Sequence, residues 1–288
     1  MQSSILSTVL LPLALGIIML GLGLGLTLAD FKRVVVFPKA VVIGLVCQMF
    51  ILPVACYFIC TSLALPPELA VGMMLLAASP GGATANLYSH LAKGDVALNI
   101  TLTAINSVFS IFTLPLFVSL AMAQFMGKEE QIPLQFGKML QVFAIVLIPV
   151  GIGMLLRAKK AQLADSLGKP VKVVSLVFLI LVIVAAILKE RANIGTYMQL
   201  VGTAALLFNL VSLLGGYFIP LLFKLPRKQA IAIGMEIGIH NGTLAIAVAT
   251  TVLGNTVMSI PAAIYSLIMF FTAAIFGWVV SRQVSDQE

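Results

Sequence analysis

Nine stretches of this chain run for about 20 residues or more with almost no charge inside them, at roughly 5–28, 40–63, 68–91, 96–125, 135–156, 170–189, 196–223, 229–253 and 256–281. A helix needs about 20 apolar residues to cross the hydrocarbon core of a bilayer. In lipid the backbone must satisfy its own hydrogen bonds, so uninterrupted apolar runs of this length read as helices. Charged residues are 9% of the 288, and the mean hydropathy is +1.14. A soluble domain carries about 25%. The reading is an all-α polytopic membrane protein with nine transmembrane helices. A water-soluble enzyme, a secreted domain and a disordered chain are excluded.

The formal charge is +7. The basic residues fall between the apolar spans, so they report orientation and not nucleic acid, which is not an expected partner. With the N-terminus outside and the C-terminus cytoplasmic, 13 of the 17 Lys and Arg lie on the cytoplasmic side. Residues 2–28 lack a basic leader and a small-residue cleavage site, and Lys32 and Arg33 follow directly, so the first span is expected to stay in the membrane. Cys47, Cys56 and Cys60 share one apolar span, which suits packing and neither a disulfide framework nor a metal site.

The chain repeats itself at an offset of 160. Tyr57-Phe58-Ile59 aligns with Tyr217-Phe218-Ile219, Leu65-Pro66 with Leu225-Pro226, Ala70 with Ala230, Gly82 with Gly242, Ala85 with Ala245 and Gly94 with Gly254. This carries the second span onto the seventh. Five spans is an odd number, so the copies have opposite orientation, and an inverted-topology repeat is a common plan of secondary transporters. Pro80-Gly81-Gly82 and His240-Asn241-Gly242 interrupt the third and eighth spans at equivalent places. Pro removes a backbone donor and Gly weakens helix, so both spans are expected to be discontinuous there. Opened backbone exposes carbonyls to a cation and helix N-termini to an anion. Packing of small residues between helices is the competing explanation.

Glu236 is the one acidic residue near the middle of a span; the other nine lie at span ends, in loops or in the tail. A carboxylate at that depth costs about 2.5–3.5 kcal/mol or more. No Lys or Arg lies at comparable depth. A bound monovalent cation or an exchangeable proton complements it, and a permanently protonated structural acid is the remaining alternative. In the fourth span Asn99, Thr103, Asn106 and Ser110 are spaced 4, 3 and 4, on one helix face. Their neutral hard oxygens suit a small cation, as do Asn86 and Gln48, although interhelical hydrogen bonding explains such residues equally well when each is taken alone. Glu236 and His240 are four apart, but there is no HExxH motif and no Cys/His cluster, so no transition-metal site is expected. No nucleophile–base pair or nucleotide loop is evident, and the chain is not read as an enzyme.

Two motifs are quite specific. Pro80-Gly81-Gly82-Ala83-Thr84-Ala85-Asn86 with Leu91-Ala92-Lys93-Gly94-Asp95-Val96-Ala97-Leu98, and Glu236-Ile237-Gly238-Ile239-His240-Asn241-Gly242-Thr243-Leu244-Ala245, resemble the bile acid:sodium symporter family, as does the early helix from Gly16 to Leu28. The resemblance implies a core domain with two crossed, discontinuous helices (about 40–125 and 196–281) packed on a panel domain (about 5–28, 135–156 and 170–189). It implies a nine-helix variant that couples sodium to uptake of an organic anion by alternating access, needs no cofactor besides the coupling ion, works as a monomer in lipid, and sits in a bacterial inner membrane. It implies one sodium site at Asn86, Asn99, Thr103 and Glu236, and a second at Gln48, Glu236, the Ile237 and Ile239 carbonyls and His240. Ala85 replaces a frequent serine and His240 a glutamine, which leaves proton coupling through Glu236 and His240 as an alternative. Ala83, Thr84, Asn241 and Thr243 are the expected substrate-side residues. A passive channel would need a continuous polar pore, whereas the polar residues gather at one depth.

Overall fold

The computed structural model describes residues 11–82, 84–127, 136–189 and 194–283, and among them the regular structure is helical. In chain order the helices are α1 (Leu11–Gly25), α2 (Leu28–Lys32), α3 (Pro38–Val46), α4 (Leu52–Ser62), α5 (Pro67–Ala77), α6 (Thr84–Leu91), α7 (Val96–Phe125), α8 (Phe136–Lys159), α9 (Ala161–Lys189), α10 (Ile194–Leu222), α11 (Arg227–Gly238), α12 (Gly242–Ala247) and α13 (Ile260–Ser281). A π turn, Cys47–Ile51, joins α3 to α4 without a break, and a second, Val248–Val252, extends α12. Among the described residues, four spans are long and apolar enough to cross a bilayer: Pro38–Ser62, Val96–Phe125, Met198–Leu222 and Val257–Ser281. The chain is a multi-pass integral membrane protein.

Two boundaries differ from the sequence reading. The apolar pattern places the first span at roughly 5–28. Residues 5–10 lie outside the described set, and the helix ends at Gly25 and bends by 70° into the next. Asp30 causes the restart. Its carboxylate accepts from the Thr27 backbone and hydroxyl, both at 2.7 Å, which caps α2, and Arg33 adds an ion pair. The sixth span was placed at 170–189, yet α9 begins at Ala161, because a helix continues past the apolar stretch that suits lipid. Pro170 is absorbed within it. Residue 135, the expected start of the fifth span, lies outside the described residues.

Helices α5 and α11 form the middle of the molecule. They are buried without interruption from Leu69 to Ala77 and from Ala230 to Gly238. A helix that is apolar all round belongs in the interior. Eleven or twelve residues reach about 17 Å, half of the hydrocarbon thickness. Each therefore stops inside the protein. Around them stand α4, α7, α10 and α13, while α1 packs chiefly on α8 and α9.

The repeat is visible in local geometry. Ala64 and Lys224 both turn the chain with positive φ, 47° and 60°. Leu65 donates to the Cys60 carbonyl and Leu225 to that of Pro220, both at 3.0 Å. The neighbouring rings Tyr57–Phe58 and Tyr217–Phe218 meet edge-on at 5.6 and 5.2 Å.

Candidate functional site

Where α5 and α11 stop, the two broken segments hold each other. The Gly82 N–H donates to the Ile239 carbonyl at 2.7 Å, and the Asn241 N–H to the Pro80 carbonyl at 2.9 Å. These bonds make an antiparallel bridge centred on Gly81 and His240. The bridge sets Pro80 opposite Asn241 and Gly82 opposite Ile239, so the two segments run antiparallel through the crossing. Carbonyls at the ends of both half-helices, just past α5 and in the last residue of α11, are held from the side. Ser79 accepts from Gln48 Nε2 at 2.8 Å and lies 3.2 Å from His240 Nδ1. Gly238 accepts from Asn209 Nδ2 and from the Tyr265 hydroxyl, each at 2.9 Å. Gln48 sits in the first π turn, which inserts one residue into its helix. Upstream of that insertion the offset becomes 161, and 161 carries Gln48 onto Asn209.

Glu236 is fully buried. Its carboxylate accepts from the Thr103 hydroxyl at 2.6 Å and from Asn106 Nδ2 at 3.2 Å, both neutral donors. Gly81 is pressed so closely to it that a Cβ would fall on the carboxyl group. Here glycine is required for close approach and not for turning. The polar stripe of α7 is buried at Asn99, Thr103, Asn106 and Ser110, as its spacing predicted. Asn99 Nδ2 donates to the Ala232 carbonyl at 2.6 Å, fixing α7 to α11.

Among the described residues, several buried polar atoms of the first π turn, α6, α7 and the second break have no hydrogen-bond partner: the amide oxygens of Gln48, Asn86, Asn99 and Asn106, and His240 Nε2. A buried acceptor left unpaired costs about 1–3 kcal/mol. Each of these amide oxygens can only accept. A carboxylate near such a set is a donor pattern for a small hard cation, and the residues present fit one.

His240 lies against the face of Phe208, with ring centroids 5.5 Å apart, and meets Tyr265 edge-on at 5.4 Å. Its Nδ1 faces a carbonyl, so that nitrogen carries the proton in the neutral ring and Nε2 keeps a lone pair. Of the other expected residues, Ile237 is buried, and the Ile239 carbonyl is engaged by Gly82. The Asn241 side chain accepts from Leu244 N at 3.0 Å and caps α12, with Thr243 in the first turn. Thr84 begins α6, and Ala83 lies outside the described residues. Sequence reasoning missed Asn209, Tyr265 and Thr272, whose hydroxyl donates to Asn209 Oδ1 at 2.5 Å. Shifting Gln48 by 161 in place of 160 would have found Asn209.

The description "Sodium Bile acid symporter family" belongs to a family model that matches residues 12–197. The sodium-dependent transporter YocS of Bacillus subtilis is 28% identical over 275 residues, covering 95% of this chain and 84% of its own length. The probable chloroplastic sodium/metabolite cotransporter BASS1 of Arabidopsis thaliana is 25% identical over 273 residues, covering 95% of this chain and 67% of its own length. The hepatic sodium/bile acid cotransporter of Rattus norvegicus is 28% identical over 239 residues, covering 81% of this chain and 65% of its own length.

Proposed function

The chain belongs to the sodium bile acid symporter family, and from that premise we propose that it is a secondary transporter that couples sodium entry to uptake of an organic anion. The observation that carries this reading is the Glu236 carboxylate, wholly buried, held by two neutral donors and accompanied by unpaired amide oxygens. Sodium is the co-substrate that complements such a set. One ion is assigned to Asn86, Asn99, Thr103 and Glu236. Another is assigned to Gln48, Glu236, Ile237, Ile239 and His240. The anion is assigned to the start of α6 and α12, at Ala83, Thr84, Asn241 and Thr243, where helix N-termini favour negative charge.

In this proposal α1, α8 and α9 are the panel and the remaining helices the core, which is supported by the packing of α1 on α8 and α9. The two broken segments are the paired elements of an inverted repeat within a nine-helix unit, N-terminus outside, acting as a monomer in a bacterial inner membrane. Alternating access follows if the core rocks on the panel, because the bridge between Gly82 and Ile239 keeps the site rigid while its surroundings move. The unpaired Nε2 of His240 favours one second reading, in which protons replace sodium through Glu236 and His240.

Thermal stabilisation of the purified protein by a set of organic anions, in sodium or in potassium and at two pH values, separates the readings. A ligand that binds the folded form raises its apparent stability. Sodium coupling predicts that an anion stabilises only in sodium. Stabilisation that is indifferent to the cation but changes with pH would support protons.

A further inference from the structure

Trp278, the single tryptophan of the chain, is 58% exposed in the last turn of α13, and the Arg282 guanidinium lies 3.8 Å above the centre of its ring. The two residues are four apart and share one helix face. That face runs back through Ile275, Phe271 and Leu267, all exposed apolar side chains at spacings of 3 and 4. Leu222 and Phe223, at the end of the neighbouring α10, are exposed as well. In a chain that crosses a bilayer, such a stripe meets lipid tails. A tryptophan and an arginine at its end mark the level where tails give way to headgroups.

The charge at that level is built and not loose. Gln283 is pinned from two directions. Arg227 Nη1, at the start of α11, donates to its carbonyl at 2.6 Å, and the Tyr217 hydroxyl of α10 donates to its Oε1 at 3.1 Å. Tyr217 is itself buried and set edge-on against Phe276, with ring centroids 5.6 Å apart. Arg227 and Arg282 are thereby held on neighbouring residues of one corner, and Lys224 is exposed on the tight turn that leads into α11. Among the described residues no carboxylate pairs with any of the three. Stacking on the indole keeps the Arg282 guanidinium flat, and its fork of N–H donors matches the oxygens of a phosphate. Unpaired cations at the end of a lipid-facing stripe complement one kind of molecule in both of its halves.

We infer that the end of α13 is a binding site for an anionic glycerophospholipid, with the phosphate held by Arg227 and Arg282 and an acyl chain laid along Phe271, Ile275 and Trp278. The site stands apart from the ion and anion assignments above and does not depend on them. Its occupant joins the end of α13 to the start of α11, the half-helix that carries Glu236, so the lipid adds to the stability of the folded protein.

The test is a lipid titration of the thermal stability of the full-length purified protein in detergent micelles, with dioleoyl phosphatidylglycerol replacing dioleoyl phosphatidylcholine at constant total lipid. The wild type is compared with Arg227→Gln, Arg282→Gln and Trp278→Leu. A double variant, Lys159→Gln with Lys160→Gln, is the control, since it removes two exposed positive charges at the end of α8. Melting in phosphatidylcholine alone checks that each variant folds. Phosphatidylglycerol is expected to raise the wild-type melting temperature saturably. Each arginine variant is expected to raise the half-saturating fraction by about tenfold, the weight of a charge-assisted hydrogen bond, and Trp278→Leu by about threefold, the weight of a cation–π contact. The control should titrate like the wild type. If it shifts the curve as far as the arginine variants do, diffuse surface charge holds the lipid and the site is overturned. Arginine variants that superimpose on the wild type overturn it equally, as does a wild type indifferent to phosphatidylglycerol. Inorganic phosphate at constant ionic strength should leave the melting temperature unchanged. Stabilisation by phosphate that Arg282→Gln removes would assign a soluble anion and overturn the lipid.

Discussion

The hydroxyl of Thr103 reaches across from α7 to donate to the carboxylate of Glu236 at 2.6 Å, and the same hydroxyl lies 3.0 Å from the Asn99 carbonyl one turn earlier. A long continuous helix thus holds the acid of a half-helix that ends two residues later. Asn99 fixes the same pair of helices through Ala232. The site is placed by rigid elements, while the interrupted backbone supplies the room beside it.

Gly81→Ala should remove sodium-dependent stabilisation by at least about tenfold in half-saturating sodium, because the new methyl occupies the space of the Glu236 carboxyl. Gly25→Ala is the control. Nothing lies within 4 Å of its Cβ position, and it should titrate like the wild type.

Asn209→Leu should lower the stability of the folded protein by about 1–3 kcal/mol, because the Thr272 hydroxyl loses a buried acceptor and the Gly238 carbonyl a donor. Tyr265→Phe should cost about 1 kcal/mol at the same carbonyl. Thermal melting in detergent checks both, against Phe271→Leu on an exposed surface of α13, which should change little.

His240→Gln separates the two coupling ions. An amide replaces the ring while it retains a donor for the Ser79 carbonyl. The sodium reading predicts that sodium-dependent stabilisation survives. The proton reading predicts no sodium dependence in either protein and a pH dependence of stability that His240→Gln weakens.

Much of this site is legible in the sequence because its signals are local. Pro80 followed by two glycines weakens a helix more than a lone proline such as Pro170, which its helix absorbs, an acid such as Glu236 is conspicuous in an apolar run, and the 4, 3, 4 spacing of Asn99, Thr103, Asn106 and Ser110 marks one face before any packing is known. The restart at α2 was legible as well, in the Thr27–Asp30 capping pair, although hydropathy alone runs through it. Asn209, Tyr265 and Thr272 were hidden for a different reason. Their role depends on a carbonyl freed at the end of another helix, and the repeat that would point to Asn209 is shifted by a π turn that sequence spacing does not reveal.

Asn241→Ala should cost about 1 kcal/mol, the usual worth of a lost N-cap, since its Oδ1 holds Leu244 N at 3.0 Å. The proposed substrate role adds a second effect. The half-saturating concentration of any anion found to stabilise the wild type should rise, while that of sodium alone should stay the same.

Direct binding of radioactive sodium to the purified protein, with Glu236→Gln beside the wild type, tests the central claim that a mobile cation neutralises this acid. Saturable binding by the wild type, displaced by unlabelled sodium and absent in a well-folded Glu236→Gln, is the predicted result. Equal binding by the two proteins, or none by either, would contradict it.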